Sequence, residues 1–320
     1  MHMQKFISCD WGSTALRLRL IDADSVSVLA EKATEDGIIA TFNLWKKKRK
    51  NKSERLSFYQ SILSGQINKL EKQLKYSLLN TPIIISGMAS SDMGMKELPY
   101  KVIPFITDDL VVKIIEPSKY FKHKTLLVSG VRTDDDVMRG EETKLIGCLA
   151  RESKQDGFFI FPGTHSKHVE VEKGLIKGFK TYMTGELFDL LSKKSILSDA
   201  VGKNAGELKS GNSEWFKKGV ALSRSSGLLH NSFLVRTNYL LKKAAKEKNY
   251  FFLSGLLIGF EIKELLQVDK QITLAGNEKQ LQLYRIALSA IGIKKVNYIN
   301  ADKALIAGHC KLYNINQSVL

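Results

Sequence analysis

Residues 6 to 20 constrain the chain most: Phe6-Ile7-Ser8-Cys9-Asp10-Trp11-Gly12-Ser13-Thr14-Ala15-Leu16-Arg17-Leu18-Arg19-Leu20. An apolar run delivers the backbone to a carboxylate, Gly12-Ser13-Thr14 turn it, and Leu16, Leu18 and Leu20 alternate with Arg17 and Arg19 on the way back. A period of two on either side of turn residues predicts a β-hairpin. At its tip, Gly12 would let a ligand approach the backbone with no Cβ in the way, and Ser13, Thr14 and the turn amides are donors suited to phosphate oxygens. Asp10, beside such phosphates, would hold a hydrated Mg²⁺ rather than the anion itself. The same residues also serve an ordinary turn, so the hairpin alone leaves both readings open.

A second hairpin lies in the other half of the chain. Phe158-Phe159-Ile160-Phe161 runs into Pro162-Gly163-Thr164-His165-Ser166 and returns through Lys167-His168-Val169-Glu170-Val171. Two such hairpins are what a two-lobed phosphotransferase needs to hold a nucleotide's phosphates from both sides. His165 and His168 are close in sequence but lack a third ligand, which favours hydrogen bonding to phosphate or backbone over a metal site.

Further motifs follow in order: Ile85-Ser86-Gly87-Met88, Met138-Arg139-Gly140-Glu141-Glu142-Thr143, Thr184-Gly185-Glu186-Leu187 and Leu253-Ser254-Gly255-Leu256-Leu257-Ile258-Gly259. With the two hairpins they make the chain resemble the 2-keto-3-deoxygalactonokinases, members of the sugar kinase, heat-shock chaperone and actin superfamily. The resemblance implies an α/β, two-lobed actin-like ATPase (ribonuclease H-like) fold with a nucleotide cleft between the lobes. The lobes would be 1–145 and 146–300, with a helix over 301–320 crossing back. It also implies ATP and Mg²⁺, with Asp10 at the metal and Gly12, Ser13, Thr14, Gly163, Thr164, His165 and Ser166 at the phosphates. Gly276 and Asn277 would lie near the adenosine; Gly87, Met88, Ser91, Arg17, Arg139 and Glu186 would line the sugar-acid site. The base would be Glu141 or Glu142, with Asp136 in reserve, and the product would be the 6-phosphate of 2-keto-3-deoxygalactonate. The chain departs from the family at Ser90, where glycine is usual, at Asp92 and at Met95, where tryptophan is usual. It departs again at Ala15 and His168, where the family commonly has asparagine and tryptophan. An added carboxylate at Asp92 would repel a sugar acid unless it turns away or meets a cation.

Composition narrows the class. With 320 residues, 43% apolar and 26% charged, the chain can build two globular cores. No stretch has the length of a membrane span or the pattern of a secretory leader, and Cys9, Cys148 and Cys310 are isolated, as reduced thiols are. A cytoplasmic protein is expected. The net charge of +16 is concentrated in Lys46-Lys47-Lys48-Arg49-Lys50-Asn51-Lys52, which invites nucleic acid. Lysines recur, however, at Lys217, Lys218, Lys242, Lys243, Lys246 and Lys248, and no aromatic-rich strand or zinc-finger spacing accompanies the run. A solvated loop is the favoured reading. The expected partners are a sugar acid and ATP, with no nucleic acid and no membrane; a homodimer is compatible. An exopolyphosphatase-like hydrolase of the same superfamily is the alternative, and a non-catalytic nucleotide- or nucleic-acid-binding protein a third reading.

Between the motifs, periodicity predicts a third strand over 26–31 and a helix over 56–78 capped by Ser53. Buried strands follow at 83–85 and 126–130, then a helix over 137–149. The second half should hold a strand at 178–183, helices at 184–191, 215–231, 238–248 and 250–265, then strand 272–276, helix 278–290, strand 295–299 and helix 301–312.

Overall fold

The computed structural model describes residues 4–48, 51–106, 109–150, 156–203, 206, 208–225 and 227–320. The chain forms two compact units: residues 1–155 with 171–179 and 301–320, and residues 156–170 with 180–300.

The first unit begins with the expected hairpin. Strands β1 (Lys5–Trp11), β2 (Leu16–Asp22) and β3 (Ser27–Thr34) form an antiparallel meander. Helices α1 (Ile38–Lys48) and α2 (Arg55–Leu74) follow, then β4 (Ile83–Gly87), parallel to β1. Short strands β5 (Lys101–Val102) and β6 (Phe105–Ile106) lead to β7 (Val112–Ile115) and to β8 (Thr125–Val128), which is parallel to β4. The sheet order is β3-β2-β1-β4-β8-β7. The all-apolar Ile83-Ile84-Ile85 run is a central strand covered on both faces, and all three residues are fully buried. On one face Ile7, Cys9 and Trp11 pack with Tyr59, Leu63 and Ile67 of α2.

The opposite face of β1 meets α9 (Ala301–Ile315), where Phe6 stacks on Tyr313 at 4.9 Å. This helix also packs on α3 (Glu141–Leu149) with backbones nearly touching. A Cβ on Gly147 would sit 1.7 Å from the Ala304 carbonyl oxygen, and one on Gly308 2.0 Å from that of Thr143. Only glycine permits that approach.

Strands β11 (Gly157–Phe161), β12 (Ser166–Glu172) and β13 (Leu175–Tyr182) form the second meander. Helices α4 (Thr184–Lys194), α5 (Ser210–Leu222), α6 (Leu228–Leu240) and α7 (Lys246–Ile262) precede β14 (Ile272–Gly276), α8 (Glu278–Ala290) and β15 (Val296–Asn300). β14 is parallel to β11 and to β15. The order β13-β12-β11-β14-β15 repeats that of β3-β2-β1-β4-β8. Two ribonuclease H-like sheets in one chain are the actin-like ATPase fold. Gly255 of α7 lies against Phe216, midway along α5, and Gly259 against Ser223, just beyond the end of α5.

Several boundaries differ from expectation. Lys46, Lys47 and Lys48 are the last turn of α1, not a loop; cations at a helix carboxyl end complement its dipole, while residues 49 and 50 of the basic run fall outside the described residues. Ser53 does not cap α2. Its N–H and hydroxyl both donate to Asn51 Oδ1, and the helix starts after Glu54 and ends at Leu74, where Lys75 turns left-handed. Residues 137 and 138 are not helical: β9 (Val131–Arg132) and β10 (Val137–Met138) pair as a hairpin, and α3 starts only after Gly140. The region read as helices 215–231 and 238–248 is divided by breaks after Leu222 and Leu240.

Candidate active site

At the tip of the first hairpin the Gly12 N–H donates to the Ala15 carbonyl at 2.9 Å, closing the turn. The start of α1 secures it from below, since the N–H groups of Ile38 and Ile39 donate to the carbonyls of Gly12 and Ser13. Ser13 and Thr14 are left exposed with the turn's rim. Cross-strand pairing puts Arg17 opposite Asp10, with Nη1 3.5 Å from Oδ2. Arg17 is thus a neighbour of the Asp10 carboxylate, itself only 18% exposed.

β4 ends beside this point, with Gly87 in register with Trp11. Gly87 has φ 87°, and a Cβ there would lie 2.8 Å from the Trp11 carbonyl oxygen and 3.5 Å from Asp10 Oδ1. Gly140, with φ 108°, brings the start of α3 against the same spot; its Cβ would be 3.4 Å from Gly87 Cα. Two glycines back to back therefore set an acidic helix start next to the end of the Asp10 strand. The two glutamates there differ sharply. Glu141 is partly exposed. Glu142 is 1% exposed, and its Oε2 accepts the Gly140 N–H at 2.6 Å. Burial, reinforced by the neighbouring Glu141 charge, pushes the Glu142 carboxyl up to about 7. Asp136, the reserve base, does not directly precede a helix: it sits in the turn between β9 and β10, and its Oδ1 accepts the Val137 N–H at 2.7 Å.

In the loop after β4, Ser91 is buried and its hydroxyl donates to the Met88 carbonyl, so it braces the loop. Asp92 is exposed and its Oδ1 accepts the Met93 N–H, turned onto its own chain. Met95 is 2% exposed and fills the core of the first unit. Ser90 is wholly buried and meets Arg139, whose Nη1 donates to the Ser90 carbonyl at 2.8 Å and to its hydroxyl.

In the second unit the turn 163–165 leans on the start of α4. The Glu186 N–H donates to the Thr164 carbonyl, and a Cβ on Gly185 would be 2.6 Å from the Gly163 carbonyl oxygen. His165 and Glu186 meet at 2.5 Å on the surface. Ser166 is wholly buried; its Oγ accepts the Gly163 N–H and lies 3.3 Å from the Tyr284 hydroxyl. Below it is a group of residues that motif reading missed. Glu261 accepts hydrogen bonds from Tyr284 at 2.7 Å and from Thr184, and its other oxygen lies 2.9 Å from His168 Nε2. Glu261, an acid near the end of the largely apolar run from Tyr250 to Ile262, was the available signal. His165 and His168 thus face different carboxylates. Gln280 completes the support: it forms a capping box with Asn277 and donates to the Pro162 carbonyl at 3.0 Å. A cavity of about 320 Å³ opens beside these groups, lined among others by Thr164, Gly185, Phe188, Ser254, Leu257 and Tyr284. Gly276 and Asn277 do not line it; Gln280 does.

A family model described as 2-keto-3-deoxy-galactonokinase matches residues 10–312. The chain belongs to this family. It is 32% identical over 312 residues to a Rhizobium meliloti protein named as a 2-dehydro-3-deoxygalactonokinase, covering 95% of this chain and 94% of that one. It is 28% identical to the 2-dehydro-3-deoxygalactonokinase of Escherichia coli, covering 95% and 96%. A crystal structure of a Sinorhizobium meliloti protein titled as a 2-dehydro-3-deoxygalactonokinase superposes with a TM-score of 0.81 at 31% identity, covering 98% and 96%. The Acidaminococcus fermentans (R)-2-hydroxyglutaryl-CoA dehydratase component A, 10% identical with a TM-score of 0.51, shares the fold alone. The family is one of kinases, and the departures at Ser90, Asp92 and Met95 are accommodated within its fold as an inward hydrogen bond, an outward carboxylate and a core side chain.

Proposed function

We propose that the protein transfers the γ-phosphoryl group of ATP to a hydroxyl of 2-keto-3-deoxygalactonate, giving its 6-phosphate. The observation that carries this reading is the pair Gly87 and Gly140, which sets the Glu141 helix start against the strand end bearing Asp10. Glu141, on the open side of α3, accepts the proton of the attacking hydroxyl. Glu142, buried and bonded to Gly140, shapes the helix start. Arg17, Arg139, Gly87 and Met88 surround the sugar acid, with Ser91 acting through the loop's shape. In the first unit Gly12, Ser13 and Thr14 offer donors to the phosphates; in the second, Gly163, Thr164 and His165 do so, with Ser166 and Glu186 supporting their turn. The 320 Å³ cavity receives the adenosine, and Asn277 with Gly276 positions its wall through Gln280.

A single carboxylate at a strand end, beside phosphate donors, fits a magnesium ion, which keeps most of its waters and is held by one or two acids and the nucleotide. Asp10 would hold it, and when bound the ion neutralises charge on the transferred group. No helix among the described residues is long and apolar enough to cross a membrane, and we place the protein in the cytoplasm. The test is a coupled ADP-release assay over a panel of sugar acids with polyphosphate as a separate substrate. ADP release that depends on 2-keto-3-deoxygalactonate is expected; phosphate release from polyphosphate with no sugar-acid dependence would overturn the reading.

A further inference from the structure

Arg139 is held more tightly than its neighbours in the loop require. One face of its guanidinium lies over the ring of Tyr100, 4.2 Å from the centroid. Its Nη1 is taken twice, by the carbonyl and the hydroxyl of Ser90. Ser90 is itself anchored, its hydroxyl proton going to the Val128 carbonyl at 2.6 Å, which leaves the oxygen's lone pairs for Arg139. Tyr100 is seated against Gly130, where a Cβ would come within 2.8 Å of the ring. What remains of the guanidinium is the edge formed by Nε and Nη2. Nε is buried and has no hydrogen-bond partner among the described residues. Nor does Arg139 have a carboxylate within ion-pair distance among them; Glu142, whose carboxyl feels the Arg139 charge, bonds instead to the Gly140 N–H. A cation stacked, pinned on one nitrogen and left with a two-donor fork has the form that receives a carboxylate side-on.

We propose that Ser90 and Tyr100 are positioning residues that fix Arg139 as the receptor for the substrate's carboxylate, and so set the preference for sugar acids over neutral sugars. The inference rests on the sugar-acid kinase reading and adds how the acid is told apart. Charge alone would admit any anion at this position. The fixed fork selects a planar group with two oxygens, and the aromatic face keeps the guanidinium from swinging to another partner. Asp92, which by sequence threatened the acid, is exposed and has its carboxylate bonded to the Met93 N–H.

The experiment measures steady-state kinetics for 2-keto-3-deoxygalactonate and for its neutral carboxamide in the wild type and in Arg139→Lys, Ser90→Ala, Tyr100→Leu and Tyr100→Phe, with thermal melts alongside. Arg139→Lys keeps the charge but loses the fork, and should raise the KM for the acid by about tenfold or more. Ser90→Ala and Tyr100→Leu should raise it several-fold, and Tyr100→Phe, which keeps the ring, should match the wild type. In all four the KM for ATP should stay where it was, and the KM for the carboxamide should shift less than the KM for the acid. Equal shifts for acid and carboxamide, or unchanged preference in a folded Arg139→Lys, would overturn the inference alone. A wild type that phosphorylates the acid no better than the carboxamide would overturn the functional reading with it.

Discussion

Glu142 folds back on its own helix start, its Oε2 accepting the Gly140 N–H at 2.6 Å, while Glu141 beside it stays partly exposed. Adjacent acids so differently placed should separate by mutation. Glu141→Gln is expected to lower kcat by roughly 10²–10⁴, the range for losing a general base, with the KM for ATP unchanged. Glu142→Gln should act on stability. The native carboxyl is raised from 4.5 to about 7, so between those values the native state holds a proton that the unfolded state gives up. Stability then falls by up to about 1.4 kcal/mol per pH unit across that window. The glutamine variant should lack this loss, gaining on wild type at pH 8 relative to pH 5 in denaturant titrations. Near-normal turnover in Glu141→Gln would move the base elsewhere.

Asp10→Asn should fold normally, since among the described residues its carboxylate has one ion-pair partner, Arg17 at 3.5 Å, yet raise the magnesium concentration needed for half-maximal rate by about tenfold or more. The cleaner reading is nucleotide binding: ATP affinity measured by fluorescence should lose its magnesium dependence. A variant with wild-type magnesium response would remove Asp10 from the metal.

Glu261 is the hub under the second hairpin, tying His168, Tyr284 and Thr184 together. Glu261→Ala leaves three polar groups without their shared acceptor and should cost about 3 kcal/mol or more. Thermal melting would show this directly. Because Ser166 and the Gly163 turn lean on Tyr284, the milder Glu261→Gln should weaken ATP binding with little change in the KM for the sugar acid.

His309 of α9 bridges two strands, its Nδ1 2.7 Å from Ser8 Oγ and its Nε2 3.0 Å from Ser86 Oγ. A neutral ring with one donor and one acceptor satisfies both serines. Burial, aided by the Arg19 charge, lowers its pKa from 6.5 to about 3. Within that interval the unfolded chain binds the proton and the native state does not, so stability should decline as pH drops below 6.5, by about 1.4 kcal/mol per unit at most. Because Glu142 acts in the opposite direction over the same window, the readout is the difference: from pH 7 through 6 to 5 the denaturation midpoint of the wild type should lose ground to that of His309→Gln, and parallel slopes would assign the acid sensitivity to other groups.

The elements that sequence alone determined are those with a local cause. Alternation with turn residues made both hairpins legible, the unbroken Ile83-Ile84-Ile85 run marked a doubly covered strand, and the glycine turn at Gly276-Asn277 after an apolar strand marked the start of α8. The motifs in register likewise carried the family. The errors were also local: lysines at the end of α1 disguised a helix as a loop, and the apolar and acidic residues around Val137 suited a helix until Gly140's positive φ and the β9–β10 pairing excluded it. Tertiary structure alone decided which acid is open and which is buried. Glu261 and His168 lie 93 residues apart, Ser90 and Arg139 49 apart, and Gly147 and Gly308 touch only because α9 returns to α3. Side-chain identity sets what a residue can bond to. Which partner it meets, and whether water reaches the pair, depends on packing between distant segments, and so Glu141 and Glu142, alike in sequence, became an open acid and a buried brace.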